Sequence, residues 1–300
     1  MDRSSVLYYG TVQEAIDAGM SKICKICEGS DEASTAAKNE SDKKTASNGG
    51  ANNPLTVTGQ IADSQVFIKG RTVEIWAKWC CDHEVTQEEY LSVMGENPSE
   101  FSGSNKPVEN VSWYDALVYC NKRSIADGRT PCYKVDGNAD TSQWGYPPHK
   151  SWEISGAITC DFTADGYRLP TEAEWEYFAR GGNLTNSNQT TYSGSNTIES
   201  VAWYGDLALT REVKKKAANA LGLYDMSGNV EEWCWDRYYG DISTSTPSSG
   251  AASGSYRVTR GGGWGNSASY CSVSYRGDVS RVPGRRYHFG GFRVVCSRSE

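Results

Sequence analysis

"ALGLYDMSGNVEEWCWDRY", from Ala220 to Tyr238, changes character in its middle. Up to Val230 it is small, polar and punctuated by glycine, the composition of a tight turn at Gly228. From Glu231 onward, Trp233 and Trp235 recur at the two-residue period of a strand. Taken alone, these residues describe a turn feeding a core strand, with tryptophans inward and acids toward water.

The rest of the chain agrees with so turn-rich a reading. Its 300 residues carry 31 Gly, 18 Tyr and 10 Trp against 6 Phe. Such a chain turns often and buries large rings with polar tips, so little regular secondary structure is expected. The length suffices for one large domain and a small appendage. A net charge of -7 argues against a nucleic-acid partner. No apolar run reaches the roughly 18 residues of a membrane-spanning segment. The ten cysteines are too dispersed to fix a redox compartment. The opening "MDRSSVLYYGTVQEAIDAG" lacks the apolar core of a secretory signal, so either the protein stays inside or the chain begins after its signal.

Three segments are expected. Residues 1–27 form a small helix-strand unit, with a capping box at Thr11 and Glu14 and a strand at "KICKI" from Lys22. Residues 28–54 have no aliphatic or aromatic side chain beyond Ala, and read as a disordered linker or loop. Residues 55–300 form the main domain. There "QVFIKGRTVEIWAKWC" predicts a hairpin turning at Lys69 and Gly70. Capping boxes at Thr86 and Glu89 and at Thr171 and Glu174 open two helices, with Gly95 and Gly181-Gly182 as their stops. Between them, Trp113, Ala116, Leu117 and Cys120 mark the buried face of a third.

The blocks "VTQEEYLSVMGENPSEFSGSNKPVENVSWYDALVYCNKRS", "YRLPTEAEWEYFARGG", "VAWYGD", "ALGLYDMSGNVEEWCWDRY", "RVTRGGGW" and "GGFRVV" resemble the formylglycine-generating-enzyme, or sulfatase-modifying-factor, domain family. The resemblance runs in family order from about Gln65 to Cys296. It implies an α+β fold, a C-type lectin-like variant with much irregular structure. Oxidase members hold Cu(I) between two cysteines five positions apart, which here fall on Asn266 and Cys271; an amide is a poor ligand for Cu(I). Iron-using relatives need clustered histidines, whereas His83, His149 and His288 stand at no mutual ligand spacing. A lone C-x-x-C at Cys24 and Cys27 and the vicinal Cys80-Cys81 are weak zinc signals beside packed thiols or distant disulfides. The resemblance also implies a structural calcium on Asp225, the carbonyls of Gly228 and Val230, and Glu232, oxygen donors of the kind calcium takes. Against it stands the plain core strand. The family's second calcium loop does not match. No other cofactor is expected.

Between Gly265 and Phe289 the vocabulary narrows. Lys, Glu, Gln, Met and Trp are absent; Gly, Asn, Ser, Tyr, Asp, Val, Arg, His and Phe remain, interrupted by apparent fixed points at Ala268, Cys271, Val273, Arg276 and Arg286. Each of the nine is reachable from the Asn codons AAY by changing adenines alone, and the five absent types are not. This resembles the variable proteins of diversity-generating retroelements, which diversify adenines in a C-terminal segment on a C-type lectin scaffold. Carried across, the resemblance makes Gly265, Asn266, Ser267, Ser269, Tyr270, Tyr275, Gly277, Asp278, Val279, Arg285, Tyr287, His288 and Phe289 variable, within a region of about 260–296. Trp264, Cys271, Arg276, Phe292 and Arg293 become the framework. A non-catalytic receptor-like protein follows, at the cell surface or secreted, with an unidentified protein or surface ligand. Tyr270, Tyr275, Tyr287 and Phe289 are expected to stand exposed on one surface. The rival readings are an enzyme of the same family, an oxidase with an altered or lost metal site, and a structural accessory domain.

Overall fold

Each described α-helix begins where a hydroxyl closes on its first turn. Thr86, Ser112 and Thr171 accept from the N–H groups of Glu89, Asp115 and Glu174, whose carboxylates return to the caps, ahead of α1 (Gln87–Met94), α2 (Trp113–Ala126) and α3 (Glu172–Ala179). Gly95 ends α1 at φ 81°, a conformation that favours glycine. α2 buries Trp113, Ala116, Leu117 and Cys120 as their spacing requires. α3 departs from the one-sided pattern, because all eight of its residues are buried. Its glutamates face arginines: Arg168 donates to both oxygens of Glu174 at 2.6 and 2.8 Å, Arg276 to Glu172 at 2.6 and 3.1 Å, and Arg180 and Arg260 to Glu176.

The computed structural model describes residues 5–7, 54–205, 208–238, 240–277 and 281–297. The expected N-terminal helix, the strand at Lys22, the linker up to residue 53, the pair Cys24 and Cys27, and the variable positions Asp278 and Val279 lie outside these. Strand β1 (Ser5–Leu7) pairs antiparallel with β4 (Trp79–Cys81). A four-stranded sheet runs in the order β1-β4-β11-β7, with β7 at Tyr167–Arg168 and β11 at Val295–Cys296. The second sheet has the order β10-β8-β9, formed by Gly290–Gly291, Glu231–Tyr238 and Tyr256–Arg260. Two hairpins complete the described strands, β2 (Leu55–Thr58) with β3 (Thr72–Ile75) and β5 (Tyr133–Val135) with β6 (Ile158–Cys160).

The hairpin expected around Lys69 is built differently. Gly70 does turn, at φ 85°, but β3 pairs with β2, and residues 59–71 are the loop between them. Ser64 Oγ accepts from the N–H groups of Val66 and Phe67 at 3.0 and 2.7 Å, so a side chain in the loop satisfies donors that a sheet partner would otherwise take.

β8 separates two cores. Trp233 belongs to one, with Trp113, Tyr119 and Phe292, and Cys234 to the other, with Trp175, Phe178 and Val258. Its acids therefore do not face water as expected: Glu231, Glu232 and Asp236 are all buried. Both β9 and β10 are hydrogen-bonded to β8. The chain from Gly261 to Phe289 is thus a long excursion that leaves one edge of β8 and returns to the other. No described helix is long and apolar enough to cross a membrane.

Candidate recognition face

The excursion starts on a glycine ribbon. Gly261 and Gly262 have φ of 88° and 67°. A Cβ on Gly262 would lie 2.8 Å from the Tyr270 carbonyl oxygen, and one on Gly263 would lie 3.5 Å from Phe289 Cβ. The ribbon is therefore packed against residues of both later segments of the excursion. Trp264 follows, its N–H donated to the Asn229 carbonyl at 2.8 Å.

Aromatic rings collect on the second segment. Trp264 meets Phe101 edge-on at 5.4 Å and His288 at 5.7 Å, His288 meets Phe289 at 5.1 Å, and Phe289 stacks on Tyr287 at 5.2 Å. The Arg281 guanidinium lies over both Tyr287 and Phe289, 5.0 and 4.7 Å from the ring centres. On the first segment Tyr270 and Tyr275 form a pair at 4.7 Å. Of the positions expected to vary, Gly265, Ser267, Ser269, Tyr270, Arg285 and His288 are exposed, and Asn266, Tyr275, Tyr287 and Phe289 are half-buried.

Some of these positions need correction. Gly277 is buried, and a Cβ there would fall 2.2 Å from Thr259 Oγ1, so it is a packing glycine. Tyr287 is not a free exposed ring: it rests on Trp233 at 6.1 Å, and its carbonyl accepts from Asn110 N–H at 2.9 Å. Tyr275 and Phe289 also stand only half out of the surface. Asn266 turns its side chain inward, its Oδ1 accepting from Gly263 N–H at 2.7 Å. Phe101 and Arg281 had no signal of their own, since what places them is contact with residues remote in sequence.

Three arginines of the excursion, and Arg293 just beyond it, pair with buried acids. Arg276 pairs with Glu172, Arg281 with Glu231 at 2.7 and 2.8 Å, Arg286 with Asp115 at 3.1 Å, and Arg293 with Glu232 at 2.7 Å through two bonds. Arg276 also donates to the Gly240 carbonyl, and Arg293 to those of Cys81 and Tyr224. Planar guanidinium forks suit this role, because each offers five donors where regular backbone pairing is scarce. Burial would raise the Asp115 carboxyl, but His149 and Arg286 overrule it and hold it well below the usual carboxylate range. Phe292, Arg293 and Cys271 are fully buried, so the expected framework, half-buried Trp264 apart, lies beneath the face.

The geometry does not fit a copper oxidase. Cys271 is sealed among Ile198, Ala202 and Ala268, and Asn266, where a second thiolate would be needed, turns its amide oxygen to Gly263 N–H. No histidine cluster forms among the described residues. His83 contacts Asp82, His149 contacts Tyr90 and Asp115, and His288 is exposed on the face. Among the described residues, Cys80, Cys120, Cys132, Cys160, Cys234 and Cys271 are free thiols.

The residues do not fit calcium either. Both Glu232 oxygens accept from Arg293, and Oε2 also from Trp175 Nε1 at 2.7 Å. A permanent cation already neutralises that carboxylate. Burial pushes the Asp225 carboxyl up to about 6, and its Oδ2 accepts from Lys214 N–H at 2.7 Å. The turn at Gly228 has a packing reason instead: a Cβ there would strike the Trp203 carbonyl oxygen at 2.3 Å.

Residues 39–298 match the profile of the sulfatase-modifying factor enzyme 1-like domain. A chaperone protein, LppX, from Paenibacillus barcinonensis is 42% identical over 244 residues, covering 74% of this chain and 82% of its own. The formylglycine-generating enzyme of Thermomonospora curvata is 34% identical over 159 residues, 45% of this chain and 50% of its own. Among solved structures, Treponema denticola variable protein 1 superimposes with a TM-score of 0.69 at 37% identity, over 86% of this chain and all of its own. The α+β, C-type lectin-like fold is that of these relatives.

Proposed function

The chain belongs to the sulfatase-modifying factor enzyme 1-like family, and from that premise we propose that it is a non-catalytic ligand-binding protein whose C-terminal excursion is a diversified recognition surface. The observation that carries this reading is the division of the excursion into two sets. Arg276, Arg281 and Arg286 within it, and Arg293 just beyond it, are committed to buried acids. The described positions expected to vary, Gly277 apart, are exposed or half-buried. A surface can change identity only where a change leaves the scaffold intact.

Tyr, Ser, Gly, Asn and Arg make sound contact residues. Tyrosine supplies a large amphipathic surface at low entropic cost, and small residues adapt around it. The likeness to a protein named for its variability supports the same reading. The ligand would be a protein or surface group met outside the cell or on its surface.

The enzyme reading rests on the formylglycine-generating relatives, of which the chain spans half the length of the Thermomonospora example. Incubating the purified protein with Cu(I) and a cysteine-containing peptide separates the two. The expected outcome is no stoichiometric copper retention and an unoxidised peptide thiol. Tight copper uptake with peptide oxidation would restore the enzyme.

A further inference from the structure

Three consecutive residues outside the recognition face, Cys81, Asp82 and His83, point a sulfur, an oxygen and a nitrogen at one place. In a regular strand, neighbours alternate sides. Here β4 ends at Cys81 and the chain bends at Asp82 and His83. Cys81 Sγ lies 3.9 Å from His83 Nδ1, Asp82 Oδ1 bonds the same nitrogen, and the three donor atoms all lie within 4.8 Å of one another. All three residues are buried.

We infer that Cys81, Asp82 and His83 form a binding site for a single divalent transition ion of zinc's class. The mixed thiolate, carboxylate and imidazole set suits zinc, whose donors at about 2.0–2.3 Å stand roughly 3.3–3.8 Å apart around a tetrahedron. The spacing from Cys81 to His83 is already near that figure. The bond between Asp82 and His83 must open to admit the ion, and the Cys81 thiol gives its proton to solvent.

A separate observation points the same way. The other ring nitrogen, His83 Nε2, lies 3.5 Å from Glu89 Oε2. A ligating imidazole ordinarily has its second nitrogen held by a carboxylate in this manner, which fixes the tautomer and the ring. Asp82 divides its oxygens similarly, with Oδ1 toward His83 and Oδ2 at 3.0 Å from Lys214 Nζ. Three protein ligands leave a fourth position for solvent.

The test uses the full chain, stripped with chelator and titrated with Co(II). Expected are about one equivalent bound, a near-ultraviolet thiolate-to-cobalt band and the visible bands of a tetrahedral ion. Cys81→Ser should remove the charge-transfer band, and Glu89→Gln should weaken binding by about 10- to 100-fold. Cys80→Ser and the double variant Cys24→Ser, Cys27→Ser should leave the band in place. Should Cys81→Ser fail to fold, His83→Gln with circular dichroism as the folding control takes its place, and must lose the tetrahedral spectrum. No thiolate band in the wild-type chain, a band that survives Cys81→Ser or His83→Gln, or one lost only with Cys24 and Cys27 would overturn the site.

Discussion

Tyr270 and Tyr287 share a residue type and a segment but differ in what lies beneath them. Tyr270 is 41% exposed, and its ring pairs with half-buried Tyr275. Tyr287 is wedged between Phe289 and the buried Trp233. Chemical denaturation should therefore show Tyr270→Ala costing under about 1 kcal/mol, in the range of surface changes. Tyr287→Ala should cost about 2 kcal/mol, less than the full truncation of a buried ring because Tyr287 is half-buried. Equal losses would contradict this division between contact surface and support. The restricted vocabulary from Gly265 to Phe289 was visible in the sequence, whereas the half-buried state of Tyr287 was not. A ring that both fills a core edge and shows a face carries no mark of it in its own letter.

At the level of elements, helix starts were legible and helix surroundings were not. Ser112 and Asp115 close the same reciprocal cap as the two threonine boxes, a local signal written within four residues. The burial of Glu172, Glu174 and Glu176 against arginines left no mark in the helix's own sequence. Arg168 is six residues from Glu174, Arg260 is 84 from Glu176, and Arg276 is 104 from Glu172. Such pairs tolerate loss of one member poorly, since the other is left buried and charged. Glu174→Gln should lower the unfolding free energy by about 3–5 kcal/mol. A loss below about 1 kcal/mol would show that Arg168 finds other support.

The whole molecule carries buried carboxyls whose pH dependence has a definite sign. Burial, reinforced by Glu172, pushes Asp236 up to about 7, and burial pushes Asp225 up to about 6. Between the ordinary aspartate range near 4 and these values the folded chain holds protons that the unfolded chain has released, so stability falls as pH rises from about 4 to about 7. Urea melts should show this decline in the wild-type protein, and Asp236→Asn should flatten it; an unchanged slope would remove Asp236 from the account. Asp115 acts oppositely, its stabilisation being lost only as pH falls below the ordinary aspartate range. Above this stability pattern stands the central claim, that one loop excursion from the edges of β8 is a surface free to change while its arginine anchors hold. The most direct measurement is sequencing of the gene's own locus. The account predicts a second, near-identical copy of the segment encoding about 260–296, close to a reverse transcriptase gene. The two copies should differ only where the second carries adenine, at codons for exposed and half-buried positions such as Tyr270, Arg285, His288 and Phe289. No such copy, or differences falling as often on the codons for Cys271, Arg276, Phe292 and Arg293, would contradict it.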